Sequence, residues 1–159
     1  MKELKVFSIM LACLMALVLV SCEDSVNVGG GGNGGGGSGG GSTDPALNGT
    51  WIANFDGSVY EYLFNNGNYE GTFDGHPVIR AVYTTNAGIM TMTATQFYDY
   101  DSIYGSFPRW YTRNELALLG VSSSALNEFF ITWLVPYHFA NNNTLILNQD
   151  GLDIICTRK

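Results

Sequence analysis

The sequence has few of the residues that form covalent cross-links. It contains three cysteines among its 159 residues. Cys13 and Cys22 fall in the N-terminal segment, so Cys156 is the single cysteine of the remaining chain and has no disulfide partner within it. Small exported domains often depend on disulfides. We therefore expect this one to be held together by its hydrophobic core alone.

Groups that carry catalysis or bind metals are equally scarce. His76 and His138 are the only histidines, and they lie far apart in the chain. The sequence has neither a His-x-x-x-His motif nor closely paired cysteines, so it predicts no metal site and no cofactor. The serines at 122–124 lack a Gly-x-Ser-x-Gly motif, which argues against a serine hydrolase. No nucleophile has an evident partner, and we expect a protein that is not an enzyme.

One pair of carboxylates leaves two interpretations open. Asp99 and Asp101 lie in "FYDYDS" and would share one face of an extended strand. Such a pair either marks a solvated strand end or holds a hard cation. Ile103 and Tyr104 follow where a calcium loop would need a glycine, which favours the solvated strand end.

Basic side chains are also few. Seven lysines and arginines stand against fourteen aspartates and glutamates, and the formal net charge is −7. Without residues 1–21 the chain would keep five basic and thirteen acidic groups, a net charge of −8. An acidic domain repels the phosphates of nucleic acids and anionic lipid headgroups. Nucleic acid is therefore not an expected partner.

The first 21 residues have the pattern of a secretory signal peptide. Lys2 and Lys5 precede a continuous apolar run over residues 6–20, and the small residue Ser21 follows it. The run is shorter than the roughly 20 residues that a transmembrane helix needs. We expect this segment to be removed rather than to span a membrane.

The residues Leu19-Val20-Ser21-Cys22 resemble the lipobox of bacterial lipoproteins. The resemblance implies that the Cys22 sulfur receives a diacylglyceryl group, and that cleavage before Cys22 frees an amine that is acylated in turn. Several acyl chains would anchor the protein durably to a membrane of the bacterial cell envelope, outside the cytoplasm. Glu23 and Asp24 resemble either a surface-export or an inner-membrane-retention signal, so the outer-membrane, periplasmic and surface-facing placements all remain open.

Residues 22–44 are predicted to form a flexible linker. Eleven of the fourteen residues between Gly29 and Ser42 are glycine, and such a segment has no side chains to bury in return for backbone order. The reach of a chain of this composition is about 25 Å. A phosphate-binding glycine loop would need a preceding strand and a following helix, and neither is indicated. The remaining residues, 45–159, are predicted to form one domain.

This domain alternates apolar with polar residues and contains twenty aromatic side chains. Short alternating runs separated by Asn-Gly and Asp-Gly pairs are typical of an antiparallel meander. We expect a mainly β fold, a small up-and-down barrel of about eight strands. The predicted strands are 50–55, 59–64, 69–74, 78–85, 89–98, 130–137, 144–148 and 152–158.

One segment departs from the strand pattern. Thr112 and Glu115 have the spacing of a helix capping box, and Gly120 ends the apolar run that follows. We predict two short helices at 113–119 and 123–129, inserted between strands at one end of the barrel. They would either complete the core or cover an opening to a ligand.

The triplet Gly49-Thr50-Trp51 resembles the Gly-x-Trp motif of lipocalins and related calycin barrels. Together with "FNNGNYEGTFDG", "TRNELALLG" and the terminal "CTRK", the domain is similar to small lipocalin-like lipoproteins of spirochaetes. The resemblance implies that Trp51 closes the barrel base beside an arginine of the last strand. Alternation in that strand independently places Arg158 on the inward face.

Two functions remain open. In the first, the barrel binds a small apolar ligand, because aromatic rings and flexible thioethers suit apolar guests. The residues expected to line this site are Tyr60, Tyr62, Tyr83, Met90 and Met92. Alternatively, a filled barrel presents an aromatic surface to an envelope or host protein, for interaction, adhesion or a structural role. The candidate residues for that surface are Tyr98, Tyr100, Tyr104, Phe107, Trp110 and Tyr111, with Trp110 and Tyr111 as its principal residues.

Overall fold

A computed structural model describes residues 42–149 and 151–159. The predicted signal peptide, the lipidation site Cys22 and nearly all of the predicted linker lie outside the described residues. The described part contains nine strands, a 3₁₀ turn (Pro45–Leu47) and two short helices, α1 (Arg113–Leu118) and α2 (Ser123–Phe129). The strands are β1 (Gly49–Phe55), β2 (Ser58–Asn65), β3 (Asn68–Phe73), β4 (His76–Asn86), β5 (Ile89–Asp99), β6 (Arg109–Thr112), β7 (Thr132–Asn141), β8 (Thr144–Gln149) and β9 (Leu152–Arg158).

Eight of these strands form a closed antiparallel barrel. Its order is β1-β2-β3-β4-β5-β7-β8-β9, and β9 pairs back with β1. The ninth strand, β6, continues one edge of β5, where residues 96–99 pair with β6 and residues 89–93 pair with β7. The prediction of a small up-and-down barrel with a short two-helix insertion is confirmed.

The barrel is closed by a short pairing between its first and last strands, β1 and β9. Strands β1 and β9 pair at Trp51 with Arg158 and at Ile52 with Thr157, whereas β1 and β2 pair at seven positions. The two strands that join the ends of the domain therefore share the shortest pairing of the barrel wall.

Four tight turns explain why the chain reverses where it does. Asp56-Gly57, Asn66-Gly67, Asp74-Gly75 and Ala87-Gly88 have positive φ at both positions, as in Asn66 at 46° and Gly67 at 86°. Two-residue hairpins need this conformation, and glycine adopts it at little steric cost. The turns predicted from Asn-Gly and Asp-Gly pairs are found at these hairpins; Asp150 of the last predicted turn lies outside the described residues.

The buried apolar residues form two separate cores. The main core fills the barrel and includes Trp51, Phe64, Met90 and Leu145. A second, smaller core lies between β6 and the helices and is built on the buried residues Tyr111, Leu116 and Leu126. Neither helix of the described residues has the length and hydropathy that a membrane crossing requires.

The predicted capping box is present at the start of α1. The Glu115 backbone N–H donates to the Thr112 hydroxyl at 3.3 Å, and the Glu115 carboxylate accepts the Thr112 backbone N–H at 2.8 Å. A threonine hydroxyl at the N-cap satisfies a helical N–H that would otherwise lack a partner. The two predicted helices are thus confirmed to within a residue, and they connect the end of β5 and β6 to the start of β7.

Candidate functional site

The two ends of the barrel differ, and each is named here by its residues. The closed end holds the 3₁₀ turn, Gly49 and Arg158. The helical end is opposite, where Phe55 ends β1, Leu152 begins β9 and the chain leads into the helices.

Arg158 and Trp51 meet at the closed end. The Arg158 guanidinium lies 4.2 Å above the Trp51 ring and donates to the carbonyls of Ala46 and Asn48, each at 2.8 Å. Its Nε also donates to the Asn142 carbonyl at 3.2 Å. A planar guanidinium can stack on a ring and donate in several directions at once. The structure therefore brings together the two residues for which a closing contact was predicted.

Gly49 is required by the same contact. Its φ of 126° is in a region that side-chain-bearing residues rarely adopt, and a Cβ at this position would lie 2.9 Å from an Arg158 nitrogen. The Trp51 indole N–H donates to the Leu47 carbonyl at 2.7 Å, so the 3₁₀ turn is held against the base of the core. The Gly-x-Trp spacing thus combines a close approach with a buried ring.

Residues 42–44 add to this closure. The Tyr137 hydroxyl donates to the Asp44 carboxylate at 3.0 Å, and the Thr85 backbone N–H donates to the Ser42 carbonyl at 2.7 Å. The segment before β1 therefore packs across the closed end. No sequence pattern indicated this, because the pairing joins residues more than forty positions apart.

The five predicted ligand-lining residues separate into two groups. Tyr83, Met90 and Met92 are buried in the main core. Tyr60 and Tyr62 also face inward but are only partly buried. The structure thus places the first group inside the packing and leaves the second group accessible.

Other inward-facing residues near the helical end share this partial exposure. In the strand register Tyr60 pairs with Phe73 and with Ala53, and Trp133 pairs with Met92. The partly buried side chains toward this end are Tyr60, Phe73, Ile79, Trp133 and Ile154. At the rim itself, Phe55 and Leu152 are exposed. Apolar side chains are therefore partly accessible where the barrel interior reaches the helical end.

Tyr62, Tyr69 and Cys156 form the polar part of the interior. The rings of Tyr62 and Tyr69 stack with centroids 6.4 Å apart. Burial, followed by the neighbouring Tyr69, Cys156 and Tyr60, raises the pKa of Tyr62 well above its ordinary value, and burial also raises that of Tyr69. Burial alone raises the pKa of the Cys156 thiol to about 12. All three groups keep their protons at neutral pH.

The expected aromatic partner surface needs a correction. Tyr111 is only 2% exposed and belongs to the second core, so it is not available to a partner. Its hydroxyl approaches Gly105 so closely that a Cβ there would collide with it. Trp110 is partly buried on the outer wall, with the Arg80 guanidinium 4.2 Å above its ring. The sequence could not reveal a second core, because its members come from three separate segments.

Two other residues of the expected surface, Tyr100 and Phe107, are exposed beside the helices together with Ile103. Tyr100, Ile103 and Phe107 lie in the segment between β5 and β6, and Phe107 is 62% exposed. Asp99 anchors this segment, since its buried carboxylate accepts the backbone N–H groups of Ile103 at 2.9 Å and Tyr104 at 2.8 Å. Asp99 is thus neither a solvated strand end nor free to bind a cation. Sequence reasoning missed this anchoring role, although Asp99 and Tyr104 are close in the chain.

A polar groove of about 290 Å³ lies on the outer wall. Glu70 and Arg80 form an ion pair of 2.8 Å inside it, and Arg80 also donates to the Gln96 side chain at 3.2 Å. Because these groups bind one another and remain partly exposed, the groove is accounted for by contacts between neighbouring strands.

The two histidines lie on different strands, β4 and β7, and both are exposed. The His76 ring is 4.4 Å from the Tyr100 ring, and His138 is on β7. Within residues 42–149 and 151–159, no three or more histidine, cysteine or carboxylate side chains are grouped as a metal site would need.

None of the family models, curated proteins or solved structures compared with this chain is similar to it.

Proposed function

We propose that this protein is a lipid-anchored lipoprotein of the bacterial cell envelope, whose barrel binds a small apolar molecule through the helical end without catalysing a reaction. One observation carries the proposal. Four inward-facing side chains toward the helical end, those of Tyr60, Phe73, Trp133 and Ile154, are only partly buried, whereas the closed end is filled by the fully buried Trp51, Phe64 and Leu47. Binding sites are typically concave, apolar and lined by a few polar groups.

The direction of entry follows from the closure at the other end. Trp51, Leu47 and Arg158 fill the closed end, and Arg158 binds three carbonyls there. A guest that enters from the helical end meets Trp133 and Tyr60 without disturbing those bonds. Aromatic rings of this size offer large contact areas with little loss of side-chain entropy.

The anchor rests on the lipobox. Acylation of Cys22 would hold the domain at a membrane surface, and the glycine-rich residues that follow would separate it from the lipid. This placement supports a role in capturing or presenting apolar molecules that leave a membrane. The expected result of metabolic labelling with a radioactive fatty acid is a labelled protein, and Cys22→Ser should abolish the label. An equally labelled Cys22→Ser variant would contradict the anchor.

Ligand binding is tested with a neutral fluorescent probe, N-phenyl-1-naphthylamine. The full chain is placed in lipid nanodiscs, and empty nanodiscs correct for partition of the probe into lipid. We expect saturable binding that Trp133→Ala weakens by at least fivefold, since one partly buried indole is lost from the site. Leu134→Ala is the matched control, because Leu134 is the next residue on β7 and is 66% exposed. Absence of saturable binding to the wild-type chain would contradict the proposal.

A second function is favoured by the exposed residues Ile103 and Phe107. Large apolar side chains that project from an anchored loop are typical of a surface that binds another protein. In that case the double variant Ile103→Ser, Phe107→Ser should reduce capture of an envelope or host protein and leave the unfolding midpoint nearly unchanged. Unchanged capture by this variant would exclude the loop as the contact surface.

A further inference from the structure

The up-and-down barrel places alternate turns at opposite ends. The β1–β2, β3–β4 and β8–β9 turns lie at the helical end, together with the segment between β5 and β6. The β2–β3, β4–β5 and β7–β8 turns lie at the closed end, and asparagines in or next to them are Asn65, Asn66, Asn68, Asn86, Asn141, Asn142 and Asn143. The turns of the closed end thus present uncharged polar groups to solvent.

The turns of the helical end expose large apolar side chains instead. Phe55 precedes the β1–β2 turn and is 62% exposed, and Leu152 follows the β8–β9 turn and is 66% exposed. The exposed residues of the segment between β5 and β6 are Tyr100, Ile103 and Phe107. These five residues are called the apolar rim.

The segment that carries three of them is held in place. The Asp99 carboxylate accepts the backbone N–H groups of Ile103 and Tyr104, and the Tyr100 ring lies 4.4 Å from the ring of His76 at the start of β4. The exposure of Ile103 is therefore a property of the fold rather than of an unanchored loop.

The apolar rim occupies two opposite sides of the barrel end. Strands β9 and β1, which carry Leu152 and Phe55, are neighbours, whereas three strands separate β1 from β5 in either direction around the barrel. A protein partner usually contacts a compact cluster of apolar residues in a well-packed centre. Exposed apolar residues spread around one end are better suited to a broad apolar layer, such as the interface of a lipid bilayer.

The charges beside the apolar rim favour one kind of lipid. Asp56, Asp74 and Asp101 are exposed at the same end, and Arg109 of β6 is paired with Glu115 at 3.2 Å. Anionic headgroups repel carboxylates. Zwitterionic headgroups carry an outermost ammonium group that attracts them, so a zwitterionic surface complements this end.

The chain before the described residues is long enough for this orientation. Residues 22–41 precede Ser42, whose carbonyl accepts the Thr85 N–H at the closed end. Twenty residues extend over at most about 66–72 Å. The longest strands, β4 and β5, have eleven residues each and span at most about 37 Å. An anchor at Cys22 therefore allows the opposite end of the barrel to reach the same membrane.

We propose that the apolar rim inserts into the interface of a zwitterionic lipid membrane, so that the helical end of the barrel rests on the membrane that holds Cys22. The inference rests on the proposed function, from which it takes the anchor, and adds an orientation to it. Aromatic and aliphatic side chains bind reversibly at this depth through the apolar area that they bury. An apolar molecule that leaves the lipid then reaches the barrel without crossing water.

Tryptophan quenching by brominated lipid tests the orientation, because bromine on an acyl chain quenches only an indole close to it. The full chain is reconstituted in phosphatidylcholine vesicles with and without bromine. Phe107→Trp adds an indole at the apolar rim, and Ile89→Trp adds one at the closed end, where Ile89 is 42% exposed. The wild-type chain corrects for the three native tryptophans. We expect the indole added at position 107 to be quenched at least threefold more strongly than the one added at position 89.

Further variants keep the Phe107→Trp reporter and change other exposed residues. Phe55→Ser with Ile103→Ser should reduce the quenching at position 107 by at least half. Leu134→Ser with Ile155→Ser is the matched control, because these side chains are similarly exposed but lie on the outer wall, and it should leave the quenching unchanged. Replacing phosphatidylcholine by brominated phosphatidylglycerol should also reduce it, since the aspartates then meet like charges. Unfolding midpoints equal to that of the reporter chain exclude misfolding as the cause.

The outcomes separate the orientation from the function on which it rests. If positions 107 and 89 are quenched equally, or if neither is quenched in a chain that carries labelled fatty acid, the inference is wrong while the anchor stands. Absence of quenching together with loss of protein capture by Ile103→Ser, Phe107→Ser would assign these residues to a protein partner. If Cys22 is not acylated, the anchor of the proposed function fails, and quenching at position 107 by added vesicles decides whether the apolar rim binds lipid without it.

Discussion

The two ends of the barrel use similar residues for opposite purposes. At the closed end Trp51 is fully buried, its N–H is bonded, and Arg158 covers its ring. At the helical end Trp133 also faces inward but stays partly exposed. The comparison shows that an inward position in a small barrel does not by itself mean a packed one. Burial also requires a segment that covers the end, which residues 42–48 provide on one side.

The helical end has a cover of a different kind. The Phe129 ring of α2 stacks on Phe97 at 5.0 Å, but Leu116 and Leu126 pack into the second core rather than into the barrel. The helices therefore bury their own apolar faces beside the opening. This difference between the ends can be tested through stability, in order of decreasing effect.

The largest effect is expected from the two tryptophans. Trp51→Ala should lower the free energy of unfolding by about 3–5 kcal/mol, as is usual for a fully buried indole. Trp133→Ala should cost about 1–3 kcal/mol, because less of its surface is removed from water. Urea unfolding followed by circular dichroism measures both. Equal losses for the two variants would remove the contrast between the ends.

The next effect concerns the guanidinium at the closed end. Arg158→Ala should lower the free energy of unfolding by about 2 kcal/mol, since three carbonyls lose a charged donor. Lys159→Ala is the control, because its ion pair with Glu61 is exposed and should be worth less than about 1 kcal/mol. If both variants lose the same amount, Arg158 acts as an ordinary surface charge.

Alkaline pH should weaken the barrel interior. The pKa of Cys156 rises from its ordinary value of 9.0 to about 12, so the unfolded chain releases this proton first. The stabilising contribution is fully present below pH 9 and is lost as pH rises from 9 toward 12. At pH 10 the expected loss from Cys156 is about 1 kcal/mol. Cys156→Val should show a shallower decline between pH 8 and 10 in urea unfolding, and identical slopes would contradict it.

The smallest effect should stay within the helices. Thr112→Ala removes the cap of α1 and should cost about 1 kcal/mol. Hydrogen exchange should accelerate at the amides of α1 while the amides of β1 and β8 stay protected. Ser123→Ala, an exposed position at the start of α2, is the control. Faster exchange throughout the barrel would mean that the helices and the barrel unfold together.

Much of the fold could be predicted because its signals are local. The alternation of Met90, Met92 and Ala94 marks inward positions, and Thr112 and Glu115 mark a helix start within four residues. The paired strands follow one another in the chain, so hairpin turns specify most of the topology. The pairing of the first strand with the last had no local signal, and there the Gly-x-Trp resemblance placed Trp51 next to Arg158.

The features that were missed depend on tertiary packing, whether the residues in contact are near or far apart in the chain. Strand β6 is four residues long and exists because it pairs with the end of β5, which no local pattern indicates. Tyr111 was expected on the surface because its neighbours are polar and aromatic, yet Leu116 and Leu126 bury it. The exposure of Tyr62 is equally invisible in sequence, since alternation gives the direction of a side chain and not what covers it.

The short ladder between β1 and β9 has a consequence for how the barrel forms. Arg158 bonds to the Ala46 carbonyl, 112 positions earlier in the chain, and this contact closes the longest loop among the described hydrogen bonds. Closing such a loop costs more chain entropy than any hairpin, and it is favourable only when the other strands are already in place. Ring closure is then the last step of folding. Loss of the Arg158 bonds should accelerate unfolding while the refolding rate stays nearly constant.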